Sequence, residues 1–181
     1  MGVRRAARTA AGIVLAAWLI GIAGRASAGL FGPSEDEKAV EPEVTLPAYP
    51  RDENLIAFHV RAADQNQYFV DAASLAVAPD GMVLVAVLVR SPQGATTLRF
   101  EGLRCASGQR KVYAIGGPER TWTKPRTVEW VPIGSGASGL QERILARDYL
   151  CPNGIGIRSV AEGLRALRRG GHESVGPTLG N

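Results

Sequence analysis

The residue types and spacings that point most directly to chemistry are few. They are two cysteines (Cys105, Cys151), two histidines (His59, His172) and one glycine-rich string, Gly134-Ser135-Gly136-Ala137-Ser138-Gly139. The string has the GxGxxG form of a dinucleotide-phosphate loop, lying between an expected strand and an expected helix. That chemistry also needs an acidic residue about 20 positions further on to hold the ribose, and none is there. Only 42 residues follow Gly139, too few to finish a doubly wound nucleotide domain. A flexible Gly/Ser loop leading into a capped helix explains the same residues. Two cysteines with two histidines are the residue types of a zinc site, but the short paired spacings of structural zinc are missing. No GxSxG nucleophile elbow exists, since glycine directly follows Ser138. Among carboxylates, Asp71, Glu101 and Asp148 are candidate general acids. Their plainer role is pairing with Arg99, Arg104 or Arg147. Tyr113, Trp122 and Trp130 are candidates for a sugar- or peptide-binding platform, against the commoner fate of core or rim packing. No catalytic, cofactor-binding or metal-ligating set is assigned, and no enzyme activity is expected.

The compartment follows from the first 28 residues, which read as an export signal. Arg4, Arg5 and Arg8 precede an apolar stretch from Ala10 to Ala23, and Ala26-Ser27-Ala28 offers small residues for cleavage between Ala28 and Gly29. The stretch is shorter than the ~20 residues that span a bilayer, so an uncleaved anchor is the lesser reading. The protein is not expected to be integral to the membrane after cleavage. The chain has 21 Lys+Arg against 17 Asp+Glu, but four arginines (Arg4, Arg5, Arg8, Arg25) lie in the signal. The remainder is formally neutral, which removes the charge argument for nucleic-acid binding. In an oxidising compartment an isolated cysteine pair is most simply a disulfide. A Cys105–Cys151 bond closes a loop worth roughly 4 kcal/mol in the chain-entropy picture. Redox or nucleophilic use would call for a CxxC motif or a low-pKa setting, and the string shows neither.

The elements that must position these residues are strands first and helices afterwards. Residues 29–45 read as an acidic, flexible leader, and Leu46-Pro47-Ala48-Tyr49-Pro50 is expected to be stiff and extended. Ile56, Phe58 and Val60 alternate with Ala57, His59 and Arg61, as in a half-buried strand. Tyr68 to Asp71 continues into Ser74-Leu75-Ala76-Val77, and Asp80-Gly81 marks a hairpin. Met82 to Val89 is continuously apolar, which predicts a central strand covered on both faces. Ser91-Pro92-Gln93-Gly94 and Ser107-Gly108 mark further turns. Leu98 and Phe100 share one parity while Leu103 and Cys105 take the other, so a bulge at Gly102 is predicted to keep all four on one core face. Lys111 to Ile115 extends the meander, and Val128 and Trp130 suggest a strand near Val131. Two capping boxes, Ser138-x-x-Gln141 and Ser159-x-x-Glu162, start two helices. The first spans about 139–150 with Leu140, Ile144 and Cys151 inward. The second puts Val160, Leu164 and Leu167 inward and ends at Gly170-Gly171. The expected fold is therefore α+β: an antiparallel β-meander sheet of five to six strands, two C-terminal helices and one disulfide, over residues 46–170, with a disordered tail at 171–181.

Several strings occur in a telling order: LPAYP (Leu46–Pro50), FVDAASL (Phe69–Leu75), DG (Asp80-Gly81), RSPQGA (Arg90–Ala95), EGLRC (Glu101–Cys105), KVYAIG (Lys111–Gly116) and ARDYLCP (Ala146–Pro152). With Trp122 and Trp130 between the last two, the chain resembles the cryptic neisserial protein family of exported proteobacterial proteins, over roughly residues 46–171. The resemblance implies a periplasmic location and brings no established activity, cofactor or catalytic residue. Many such relatives look like lipoproteins with a cysteine after the signal; here Ala28-Gly29 stands in its place. Both cysteines fall inside matching strings, which the resemblance adds to the case for their pairing. Three functional readings follow: a non-enzymatic binding module for an envelope protein or ligand, an envelope hydrolase acting on glycan or peptidoglycan through a carboxylate, and an assembly or stress factor docking through its acidic leader.

Overall fold

The computed structural model describes residues 43–61, 64–136 and 139–175. The expected export signal with its expected cleavage between Ala28 and Gly29, most of the expected acidic leader, Ser138 and residues 176–181 lie outside the described residues.

Seven strands form one antiparallel sheet: β1 (Leu55–Phe58), β2 (Gln67–Val77), β3 (Val83–Arg90), β4 (Thr96–Arg104), β5 (Gln109–Gly116), β6 (Trp122–Thr123) and β7 (Val131–Pro132). Strands β1 to β6 lie in sequence order, and β7 adds to β5 beside its start. Two helices follow, α1 (Gly139–Ile144) and α2 (Val160–Arg169).

The turns are where their residues demand. Gly81, Gly94 and Gly108 take positive φ values of 82°, 86° and 62°, the left-handed region that glycine enters without a Cβ penalty. Strand β3 is covered on both sides, as its unbroken apolar run requires. Val83, Val85 and Val87 enter the core beneath the helices, while Ala86 and Leu88 enter a second, smaller core on the opposite face.

That second core corrects the bulge expected at Gly102. Gly102 pairs regularly with Leu84 on one side and Lys111 on the other. Strand β4 instead changes cores: Leu98 and Phe100 fill the smaller one, Leu103 and Cys105 the helix-covered one. The irregularity between β4 and β5 lies one strand over, where Phe100 faces Ala114 and Glu101 faces Val112, leaving Tyr113 as the extra residue. Glycine at 102 answers a different need. A Cβ there would stand 2.9 Å from Tyr113 Cε2 and 3.0 Å from Met82 Sδ. A further irregularity in β2, between Asp71 and Ala76, is filled by Ser74: its Oγ accepts the Ala86 N–H (2.8 Å) and donates to the Asp71 carbonyl (2.7 Å).

The first helix also departs from expectation. It is α-helical for six residues and then widens into a π-helical segment, Leu145–Leu150, in which the Cys151 N–H reaches back to the Ala146 carbonyl (2.6 Å). Leu140 and Ile144 flank the core rather than lead it; Glu142, Leu145, Ala146, Tyr149 and Leu150 point in. An ion-pair cluster draws Glu142 inward, and the wider turn buries both Tyr149 and Leu150. The second helix follows its signals. Ser159 Oγ accepts the Glu162 N–H (3.2 Å), and Gly170 closes the helix in the left-handed conformation. The Glu162 carboxylate takes the Arg158 amide (2.8 Å) rather than that of Ser159. Gly171 and His172 are buried, and the chain continues into a 3-10 turn, Glu173–Val175.

Candidate functional site

Cys105 and Cys151 are joined, with an S–S distance of 2.05 Å and Cα atoms 5.3 Å apart. The bond ties the end of β4 to the residue after the π-helical segment, and it takes both thiols out of any ligand set. Beside it lies a groove of about 720 Å³. Three segments frame it: the β2–β3 turn (77–82), the β4–β5 turn (104–107) and the loop before α2 (154–158). The third segment is held against the first two closely enough that a Cβ on Gly156 would meet the Gly81 carbonyl at 3.2 Å and Cys105 Sγ at 3.4 Å. The walls are mostly apolar, with Val77, Met82, Ile155 and Ile157 among them. Ile155 is 68% exposed at the groove.

The groove runs into a cationic aromatic cluster. Arg104, which lines it, stacks its guanidinium 4.1 Å from the Trp130 ring centre. Lys111 Nζ lies 5.7 Å from the same ring, and Tyr113 meets it edge-on at 6.5 Å. The Tyr113 hydroxyl donates to Met82 Sδ (3.5 Å), connecting this cluster to the groove wall. Arg158 stands on the α2 side of the groove, its Nε 3.6 Å from Glu162. Arg104 thus leaves the carboxylates alone and takes an aromatic partner.

The other aromatic candidate separates from this pair. Trp122 donates its indole N–H to the Pro47 carbonyl (2.8 Å) and packs on Tyr49 and Phe100, at 5.3 and 6.1 Å. Its role is to fasten the Leu46–Pro50 segment across the helix-free face, aided by Tyr49 donating to the Gly117 carbonyl (3.2 Å) and Arg120 to that of Pro50 (2.8 Å).

The carboxylates are dispersed. Glu101 lies on the helix-covered face, opposite the tryptophans, and is 1% exposed. It belongs to a buried quartet: its Oε2 is 3.8 Å from Arg99 Nε and 3.9 Å from Arg110 Nη1, and the two arginines also hold Glu142, at 3.4 and 2.6 Å. Burial pushes the Glu101 carboxyl up to about 7, with the neighbouring Glu142 charge adding to the rise and the two arginines opposing it. Asp71 is buried in the β2 irregularity; burial raises its carboxyl against the hydrogen bonds of Ala73 and Ser74. Asp148 is clasped by both Nε and Nη2 of Arg147 (2.5 and 2.8 Å), and its carbonyl accepts the His172 N–H (2.7 Å).

The histidines lie apart as well. His59 is exposed, its backbone N–H on the Tyr149 hydroxyl (3.2 Å). His172 is buried between Glu162 (Nε2 to Oε1, 2.9 Å) and Ser174 (Nδ1 to Oγ, 2.9 Å). Burial pushes the Glu162 carboxyl up, but the Arg158 amide, His172 and the Arg158 charge outweigh it and hold it below its ordinary range. Gly134 and Gly136 take positive φ, and the Gly134 carbonyl accepts from Arg143 Nη1 (2.9 Å), so the glycine string holds a side chain of its own helix.

Arg110, Glu142, Ile155 and Arg158 escaped the sequence reading. The first two meet across 32 residues with no local mark. The loop residues carried a signal of another kind: Ile155 and Ile157 are large apolar side chains set among glycines, outside any periodic element.

Fold and groove together define a disulfide-stapled antiparallel-sheet module with two C-terminal helices. The chain belongs to the CNP1-like family, whose sequence model matches residues 34–168. It is similar to "Cryptic neisserial protein 1" of Neisseria gonorrhoeae (strain ATCC 700825 / FA 1090), being 31% identical over 104 residues that cover 50% of this chain and 51% of that protein. The chain thus spans about half the length of the curated relative it matches. No solved structure matches. Among the described residues no helix is long and apolar enough to cross a membrane.

Proposed function

We propose that this is an exported periplasmic protein that works by binding rather than by catalysis, and that its ligand occupies the groove beside the disulfide. The observation that carries the reading is the groove itself. Three turns and loops at one end of the sheet frame an open groove of about 720 Å³ with mainly apolar walls, with Ile155 presented to solvent and Arg104 and Arg158 among the lining residues. That size is usual for a small-molecule site, as is an apolar wall with a few charged groups to orient the ligand. The export signal supports the compartment, and the disulfide suits an oxidising one.

Osmotic-shock fractionation of cells making the tagged full chain tests the location: release of a form shortened by about 28 residues is expected, and retention of the full-length chain in the cytosol overturns it. Methyl NMR tests the groove. Purified mature protein is mixed in turn with lipid, glycan and protein fractions of the envelope. At least one fraction is expected to shift Met82, Ile155 and Ile157 while leaving Ile144, on the helix-covered side, in place. If no fraction moves those three, the groove is not the binding site.

A further inference from the structure

We infer that the occupant of the groove is a single anionic amphiphile, an alkyl or acyl chain with a phosphate head, taken up one molecule at a time. This rests on the groove being the binding site and goes on to name what it takes.

The walls set the tail. Ile155 and the half-buried Val77 offer hydrocarbon surface, with the buried Met82 and Ile157 behind them, and the partners they can satisfy are other hydrocarbon groups. The exposed Ile155 side chain returns to an apolar setting only when something apolar lies against it.

The rim sets the head. Arg104 and Arg158 both line the groove, and Lys111 lies within 5.7 Å of the Trp130 ring on which Arg104 stacks. The nearby carboxylates are engaged: Asp80 accepts the Met82 N–H inside its own turn (3.1 Å), and Glu162 holds Arg158 and His172. Arg158 is thus already paired with Glu162, and Arg104, which holds an aromatic partner, is the lining cation that can take up a head group. A guanidinium presents paired N–H donors whose geometry fits a phosphate, and Arg104 is already pre-oriented by stacking on Trp130. Concavity decides between a free molecule and a bilayer surface, since walls on three sides suit one chain lying within the groove.

The test uses purified mature protein with alkyl phosphates of increasing chain length, kept below micelle formation. Binding is followed by tryptophan fluorescence and by the Met82, Ile155 and Ile157 methyl signals. Alkyl trimethylammonium and alkyl maltoside series, inorganic phosphate alone and anionic phospholipid vesicles serve as comparisons. Alkyl phosphates are expected to bind, each added methylene tightening the complex by up to about fourfold. Matched alkylammonium ions should bind at least about tenfold more weakly, the factor corresponding to one modest charged contact. Arg104→Gln should weaken alkyl phosphates while leaving alkyl maltosides unchanged, and Ile155→Asp should flatten the chain-length dependence, with circular dichroism checking that both variants fold. Four results overturn the inference: inorganic phosphate binding as tightly as its alkyl esters, alkylammonium binding as tightly as phosphate, Arg104→Gln weakening both head groups alike, or binding to vesicles alone. If another class of ligand moves the groove methyls and alkyl phosphates do not, the amphiphile fails while the binding site stands. If nothing moves them, both fail.

Discussion

Replacing Glu101 with glutamine should change how the stability of this protein depends on pH, with a size and sign that follow from the buried quartet. Glu101 is buried beneath α1, facing Arg99 from its own strand, Arg110 from β5 and Glu142 from α1. Burial dominates and raises its carboxyl from 4.5 to about 7 in the folded chain. A carboxyl that holds its proton more tightly when folded contributes its full advantage where both states are protonated, and loses it once the unfolded chain can shed a proton that the folded chain retains. The advantage is complete below 4.5 and is spent as pH rises to about 7. At about 1.4 kcal/mol per pH unit, the interval amounts to about 3 kcal/mol. Glu101→Gln copies the protonated form in shape and charge. Urea unfolding followed by tryptophan fluorescence should therefore show the variant close to the parent near pH 4.5 and more stable by up to about 3 kcal/mol near pH 8. The difference between the two proteins isolates this group from Asp71, which titrates in the same direction, and from Glu162 and Asp64, which titrate in the opposite one. A variant destabilised equally at both ends of the range would show that the quartet needs Glu101 as an anion between its arginines, and the reasoning from burial would be wrong.

Two further changes test the packing. Gly163→Ala puts a Cβ 2.6 Å from Ile157 Cδ1 and 2.9 Å from Leu75 Cδ2 in the main core. Overpacking of about 1–3 kcal/mol should outweigh the ~1 kcal/mol gained in helix propensity, read as a lower denaturation midpoint. The double change Cys105→Ala, Cys151→Ala should lower stability by about 2–4 kcal/mol in urea titration, since it frees a loop of sequence separation 46.

Legibility differed by element for physical reasons. Strand β3, its flanking turns and α2 with its two caps were readable because period, glycine and capping serine act within a few residues of one another. The parity change in β4 was visible but misread. A bulge and a change of core leave the same mark in a single string, and only the partner strands tell them apart. The inward face of the first helix was misplaced for a related reason. Apolar spacing favoured Leu140 and Ile144, while the arginines that pull Glu142 inward lie 32 and 43 residues away. Of the candidate carboxylates, Glu101 and Asp148 do pair with arginine, at Arg99 and Arg147, whereas Asp71 is held by the β2 irregularity and Arg104 takes Trp130. The groove was not readable at all, because its three framing segments come together only when the sheet and the loop before α2 are both in place.

The disulfide gives the groove a history as well as a wall. Cys105 sits in one framing turn, and its bond to Cys151 anchors the root of the loop that carries Ile155. A chain whose thiols are still reduced lacks that covalent anchor between the two segments. On the binding role proposed above, completion of the groove would thus be tied to formation of this bond, and so to the compartment in which the bond is made.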